Sequence, residues 1–260
     1  MANSINVNVG AMVALQNLNT SNRQLAVTQN RVSTGMNVSS AKDNGAIYAI
    51  ATNQRAELGA LDAVRQSLQR GQSIVDVALA AGDTVVNALT EMKALAVAIE
   101  ADGTTTSASY LALKADYDAY QSEIDAALSG ANFDGVNLWT NTAVTGVLTD
   151  TTGSTYTIGF GAAIDPTPAA VTSAGVQATI ESFTADLAQI GTQSKSLERQ
   201  TTFNSKMQDA VEAGIGNLVD ADLAKESARL TALQTKQQLG VQALSVANSS
   251  SQILLSLFRG

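Results

Sequence analysis

From Leu61 onward, apolar positions recur at alternating spacings of three and four: Leu61, Val64, Leu68, Gly71, Val75, Ala78, Gly82, Val85, Leu89, Met92, Ala96 and Ile99. Every one of these positions is apolar or glycine, over roughly five heptads, and this pattern predicts a coiled-coil seam. Its small residues let a neighbouring helix approach closely. A helix from about residue 41 to residue 99 would be ~90 Å long at 1.5 Å per residue. Such a rod cannot fold back into a compact globule. Ser40 and Asp43 have the spacing of a capping box at its start, and Asp102-Gly103 ends it.

The first forty residues carry a shorter stripe, Leu15, Leu18, Leu25 and Val32, set among uncharged polar residues. At the far end Leu230, Leu233, Val241, Leu244, Ile253, Leu254, Leu257 and Phe258 keep helical spacing almost to the last residue. Neither terminal stripe has the apolar area to hold a helix alone, so each needs a partner. Further helices are expected over about 110–128 and 176–214. Asp220-Ala221-Asp222 reads as capping and dipole complementarity at the start of the last helix. Thr142–Thr149 and Ser154–Phe160, joined by Asp150-Thr151-Thr152-Gly153, read as a β-hairpin. That hairpin is expected to face outward and touch few neighbours. The fold class that follows is mainly α: a long coiled-coil helical hairpin or rod with a small β-hairpin region. Two domains are expected, a discontinuous one of residues 1–40 plus 220–260 and a rod of residues 41–219, with the hairpin region at about 136–175.

Composition removes whole classes of chemistry. The 260 residues contain no cysteine and no histidine. Disulfides, thiolate nucleophiles, zinc fingers and imidazole bases are therefore excluded. Gly159-Phe160-Gly161 is only a fragment of a dinucleotide fingerprint and follows a hairpin rather than opening a βαβ unit. Asp116 and Asp118, two apart, point away from each other on a helix. No catalytic residue, cofactor site or metal site is expected.

Charge is unevenly placed. Against 15 Lys and Arg stand 23 Asp and Glu. No base occurs between Lys114 and Lys195, where Asp116, Asp118, Glu123, Asp125, Asp134, Asp150, Asp165, Glu181 and Asp186 are found. The near-neutral ends can pack against copies of themselves, while an acidic middle stays solvated. No basic patch is present to neutralise phosphates, so nucleic acid is not an expected partner. No apolar run approaches the length of a membrane span, and the opening MANSINVNVG lacks the basic and apolar regions of a signal peptide, so no membrane partner is expected.

Leu15-Gln16-Asn17-Leu18-Asn19, Asn30-Arg31-Val32-Ser33-Thr34-Gly35-Met36 and Ser39-Ser40-Ala41-Lys42-Asp43-Asn44 closely resemble the amino-terminal region of bacterial flagellins. Phe133-Asp134-Gly135 stands where that family has Phe-Asn-Gly. Asn217–Glu226, Ala243–Asn248 and Leu255–Arg259 are similar to its carboxy-terminal signature. The resemblance implies a filament subunit whose terminal helices pair as an inner domain joined to a helical rod, here in a short form without large outer domains. It implies an extracellular location on the flagellum, reached unfolded through the flagellar export apparatus with a chaperone. The implied partners are further copies of the chain or sister flagellins, the filament cap and the hook-junction proteins.

One stretch departs from the family pattern. Many flagellins carry Arg-x-Arg-Glu-Leu-Ala on the rod, where the animal innate immune receptor grips. Here the matching residues are Glu91, Met92, Lys93, Ala94, Leu95 and Ala96. A reversed charge at a desolvated contact weakens binding, so the resemblance implies an altered receptor epitope.

Overall fold

The computed structural model describes the backbone of residues 8–140 and 145–257, and their side chains except at 145 and 250–257. The chain is mainly α. In order it forms α1 (Val9–Thr34), α2 (Gly45–Asp102), α3 (Ala108–Gly130), β1 (Thr145–Leu148), β2 (Thr155–Ile158), α4 (Ser173–Val219) and α5 (Leu223–Leu257). These elements make two compact units, one of residues 1–56 and 211–260, the other of residues 57–210.

In the first unit α1 begins at Asn8, whose side-chain oxygen accepts the Ala11 amide, and ends at Gly35 in the left-handed region. The next helix does not start at Ser40. The Asp43 carboxylate instead folds back onto the amides and hydroxyls of Ser39 and Ser40, closing a turn. Those hydroxyls hold its carboxyl below the ordinary range. Asn44 then caps α2 by accepting from the amides of Ala46 and Ile47. The serine and acid are thus spent on each other, and the helix begins at Gly45. The connection out of α1 is stitched to the one into α5: Asn37 donates to the Val219 carbonyl across 2.7 Å, and Ala221 donates to that of Gly35 across 2.8 Å. Asp222 caps α5 through the Lys225 amide, whereas Asp220 sits in a bridge with Met36.

The second unit is built on α2. All twelve positions of its stripe, Leu61 through Ile99, are buried. By length and composition α2 holds a window apolar enough to cross a membrane, contrary to the sequence expectation. Its stripe is packed into the unit's core, which accounts for that apolarity. Leu187, Trp139 and Val147 fill the notches left by glycine on this stripe. A methyl group added at Gly71 would lie 2.6 Å from Val147 Cγ2, and one at Gly82 would meet Leu187 and come within 3.1 Å of Trp139. Polar side chains tie α2 to α4: Asn204 donates to the Leu61 carbonyl, Gln72 to Ser194 and Lys93 to Gln177.

β1 and β2 pair antiparallel, Thr145 opposite Ile158 and Leu148 opposite Thr155. The hairpin does not stand clear of the helices. Val147 and Ile158 are 3% and 0% exposed and belong to the core. The Leu148 amide donates to Ser67, and Gln193 both donates to and accepts from the Gly159 backbone. Alternation explains this: one face of so short a hairpin is Val147, Tyr156 and Ile158, and two strands alone cannot shield it. Residues 142–144 of the expected first strand lie outside the described residues.

Candidate functional site

Pairing of the terminal helices is the feature that brings distant sequence together. Asn8 donates to the Ala247 carbonyl, Leu18 packs on Gly240, Gln237 donates to Asn22, and Arg31 meets Glu226. These four pairs run forward along α1 and backward along α5, so the helices are antiparallel. The inward positions repeat in heptads: Ala11, Ala14, Leu18, Ser21, Leu25, Thr28 and Val32 on α1, and Glu226, Leu230, Leu233, Gln237, Gly240, Leu244 and Ala247 on α5. Several are small or polar. Ser21 and Thr28 are buried at 3% and 2% exposure, and Glu226 at 7%.

Of the expected seam residues, Leu18, Leu25, Val32, Leu230, Leu233 and Leu244 are turned inward. Leu15 and Val241 lie off the seam, 48% and 54% exposed. Each stands one residue past an inward position, Ala14 or Gly240, which rotates it about 100° around the helix. Ile253, Leu254, Leu257 and Phe258 lie outside the described side chains. The sequence stripe missed the polar seam positions, since it counted only large apolar residues. Counting heptads through Ala11, Leu18, Leu25 and Val32 would have found them.

Large apolar side chains also face away from the seam, beside polar ones such as Gln16 and Asn19. Val9, Met12, Val13 and Leu15 on α1, and Leu239, Val241 and Val246 on α5, are each about half exposed or more. A groove along α1 is lined by Val9, Met12, Val13, Leu15 and Arg23. The paired helices therefore carry apolar surface on two sides and bury only one.

On the second unit, Leu61, Val64, Leu68, Val75, Val85, Leu89 and Met92 are all interior. Glu91 and Ala94 are exposed, Lys93 and Leu95 half-buried. The Lys93 ammonium is held 2.6 Å from Gln177 Oε1, while Glu91 lines a groove with Asp116, Tyr120 and Glu123. Among the described residues no group of acids is arranged to hold a metal ion.

The two ends match family models: residues 5–143 the bacterial flagellin N-terminal helical region, and residues 174–258 the bacterial flagellin C-terminal helical region. The chain belongs to the bacterial flagellin family. It is 49% identical over 271 residues to flagellin FljM of Caulobacter vibrioides, covering 99% of both chains. It is 35% identical to a flagellin of Brucella melitensis over 283 residues, again 99% of both. Flagellin C of Rhizobium meliloti is 31% identical over 322 residues, with 98% of this chain covered. This flagellin is a structural protein and not an enzyme: a subunit that polymerises into the helical filament by which bacteria swim. The matched regions include both terminal helices.

Proposed function

We propose that the coil of α1 and α5, residues 1–40 with 220–260, is the inner self-assembly domain of the flagellin, and that residues 41–219 form its helical rod domain. The observation that carries this reading is the apolar surface of Val9, Met12, Val13 and Leu15, turned away from the coil's own seam. Burying the exposed half of such a side chain contributes roughly 1 kcal/mol. A polymer repeats that gain at every subunit, through a heterologous interface that never closes. The near-neutral ends suit contact between copies, whereas the acidic middle suits an outer, solvated position.

Family membership supports partners beyond the filament. The chain leaves the cell through the flagellar export apparatus with a chaperone, is placed beneath the filament cap, and meets hook-junction proteins at the base. Its lack of cysteine suits that route, since an unfolded chain cannot be trapped by disulfides. Glu91, exposed where the innate-receptor motif has arginine, weakens receptor binding together with Ala94.

Sedimentation after seeding tests the assembly reading. The Met12→Ser/Val13→Ser variant should raise the critical concentration about tenfold to a hundredfold, at ~1.4 kcal/mol per tenfold. Unchanged pelleting would refute the assignment of this face to assembly.

A further inference from the structure

The α1–α5 seam nearly repeats itself. Sliding α5 by seven residues would set Gly240 against Leu25 or Ala11 in place of Leu18, and apolar layers would again face one another. Hydrophobic pattern alone therefore leaves registers one heptad apart close to equivalent.

One seam contact pairs opposite charges across the coil. The bases of α1 and α5 are Arg23, Arg31, Lys225, Arg229 and Lys236, and their single acid is Glu226. The Glu226 side chain is 9% exposed, with Oε1 3.3 Å from Arg31 Nη1 and 3.9 Å from Arg229 Nη1. Its second oxygen, Oε2, is buried without a hydrogen-bond partner. Arg229 lies one turn along the same helix, so it follows Glu226 in any register. Only Arg31 comes from the facing helix.

We propose that Arg31 and Glu226 are the register key of the inner coil, a positioning pair that selects one heptad alignment from several. This rests on the reading of the coil as the assembly domain. A slip of seven residues places Glu226 opposite Gln24 in one direction and opposite Val38, past the end of α1, in the other. In both cases a largely desolvated carboxylate loses its cross-helix cation, and such a charge is costly to leave unpaired. A buried polar contact within a coiled-coil seam is a known means of fixing alignment. The backbone stitch between Gly35 and Ala221 ties the same end of the coil, but peptide groups of any sequence can make it.

The chain has no cysteine, so introduced cysteines report register without background. A Cβ placed on Gly240 lies 3.8 Å from Leu18 Cβ, the separation found in disulfides. The full chain would carry Leu18→Cys/Gly240→Cys to read the observed register. Leu25→Cys/Gly240→Cys and Ala11→Cys/Gly240→Cys read the two slips. Each pair is oxidised in the parent and in an Arg31→Leu/Glu226→Leu background, which removes the key without leaving a buried charge. Intrachain disulfide is measured by mass, in both the soluble and the pelleted chain. The parent should favour the observed register by more than ~10-fold, and the leucine background should bring the three within ~3-fold. An unchanged ratio overturns the proposal and assigns the register to the backbone stitch. If the leucine pair does not fold, Arg31→Gln/Glu226→Gln gives the same reading. Unchanged pelleting by chains whose register preference has been lost counts against the assembly reading instead, so the two failures are separable.

Discussion

The indole N–H of Trp139 donates to the main-chain carbonyl of Ala78 across 2.9 Å, deep within the second unit. That carbonyl belongs to the middle of α2, one turn before Gly82, the glycine over which the indole passes. Phe183 stacks on the same ring at 4.8 Å between centroids, and Phe160 tilts against it at 5.3 Å. Asn137 aims the tryptophan by accepting its amide while donating to the Leu128 carbonyl at the end of α3. One aromatic side chain therefore joins α2, α4 and the segment that follows β2. Trp139→Phe should cost about 1–2 kcal/mol, from the lost hydrogen bond and part of the packing, and Trp139→Ala about 3–5 kcal/mol. Urea denaturation of the soluble chain, followed by circular dichroism, measures both.

Two glycines of α2 should respond to alanine with opposite signs. At Gly59 nothing lies within 4 Å of an added methyl. Helix propensity then favours Gly59→Ala by about 0.5–1 kcal/mol. At Gly82 the methyl meets Leu187 and Trp139, and overpacking at about 1–3 kcal/mol exceeds that propensity gain. Thermal melts of the two variants should move in opposite directions.

Deleting the hairpin should unfold the rod rather than trim it. Removal of residues 145–158 takes Val147 and Ile158 from the core, and with them about 1.5–3 kcal/mol each, before the Gly71 notch is counted. A variant with a short Gly/Ser closure should lose cooperative unfolding of residues 57–210, read by near-ultraviolet circular dichroism. Retention of a parent-like transition would show that the helices suffice.

Acid should loosen the hairpin turn only well below the ordinary carboxylate range. Asp150 Oδ1 accepts from the Thr152 and Ser154 amides and from the Thr152 hydroxyl. Hydrogen bonds from Ser154 and Thr152 hold its carboxyl far below the ordinary value. A depressed folded-state pKa means that the stabilisation is present above the unfolded value, about 3.9, and is lost as pH falls through the folded one. Asp186 has the opposite sign, its carboxyl raised by burial. It destabilises the fold once pH has risen through that raised value. At neutral pH Asp186→Asn should therefore stabilise modestly, whereas Asp150→Asn should weaken amide protection in the turn. Hydrogen exchange from neutral pH down to about pH 2 separates the two.

Glu91→Arg should strengthen innate-receptor activation relative to the parent, in a reporter-cell dose response. The side chain is exposed and its neighbours Asp116 and Glu123 line the same groove, so an arginine there is accommodated. An unchanged dose response would place the altered epitope elsewhere.

What the sequence revealed depended on how strongly a single force wrote the pattern. The α2 stripe is legible because every position from Leu61 to Ile99 obeys one rule of burial, glycines included. On α1 two rules overlap: small and polar residues face α5, while Val9, Met12 and Val13 face outward. A search for large apolar side chains therefore selects Leu15, which is not on the seam. The hairpin shows itself through Thr, Val and the Asp-x-x-Gly turn, yet its inward face is invisible locally because the helices that cover it lie far away in sequence. Ser40 and Asp43 have capping spacing, but spacing does not say which of the two accepts. The acceptor here is Asp43, so the helix starts later.

Asn8 donates to the carbonyl of Ala247, a residue 239 positions further along the chain. The first helix can thus find its native mate only after almost the entire polypeptide is present on the same side of whatever barrier it crosses. A chain that ends before α5 leaves α1 without its mate. Antiparallel closure of the two ends therefore requires nearly the full length of the chain.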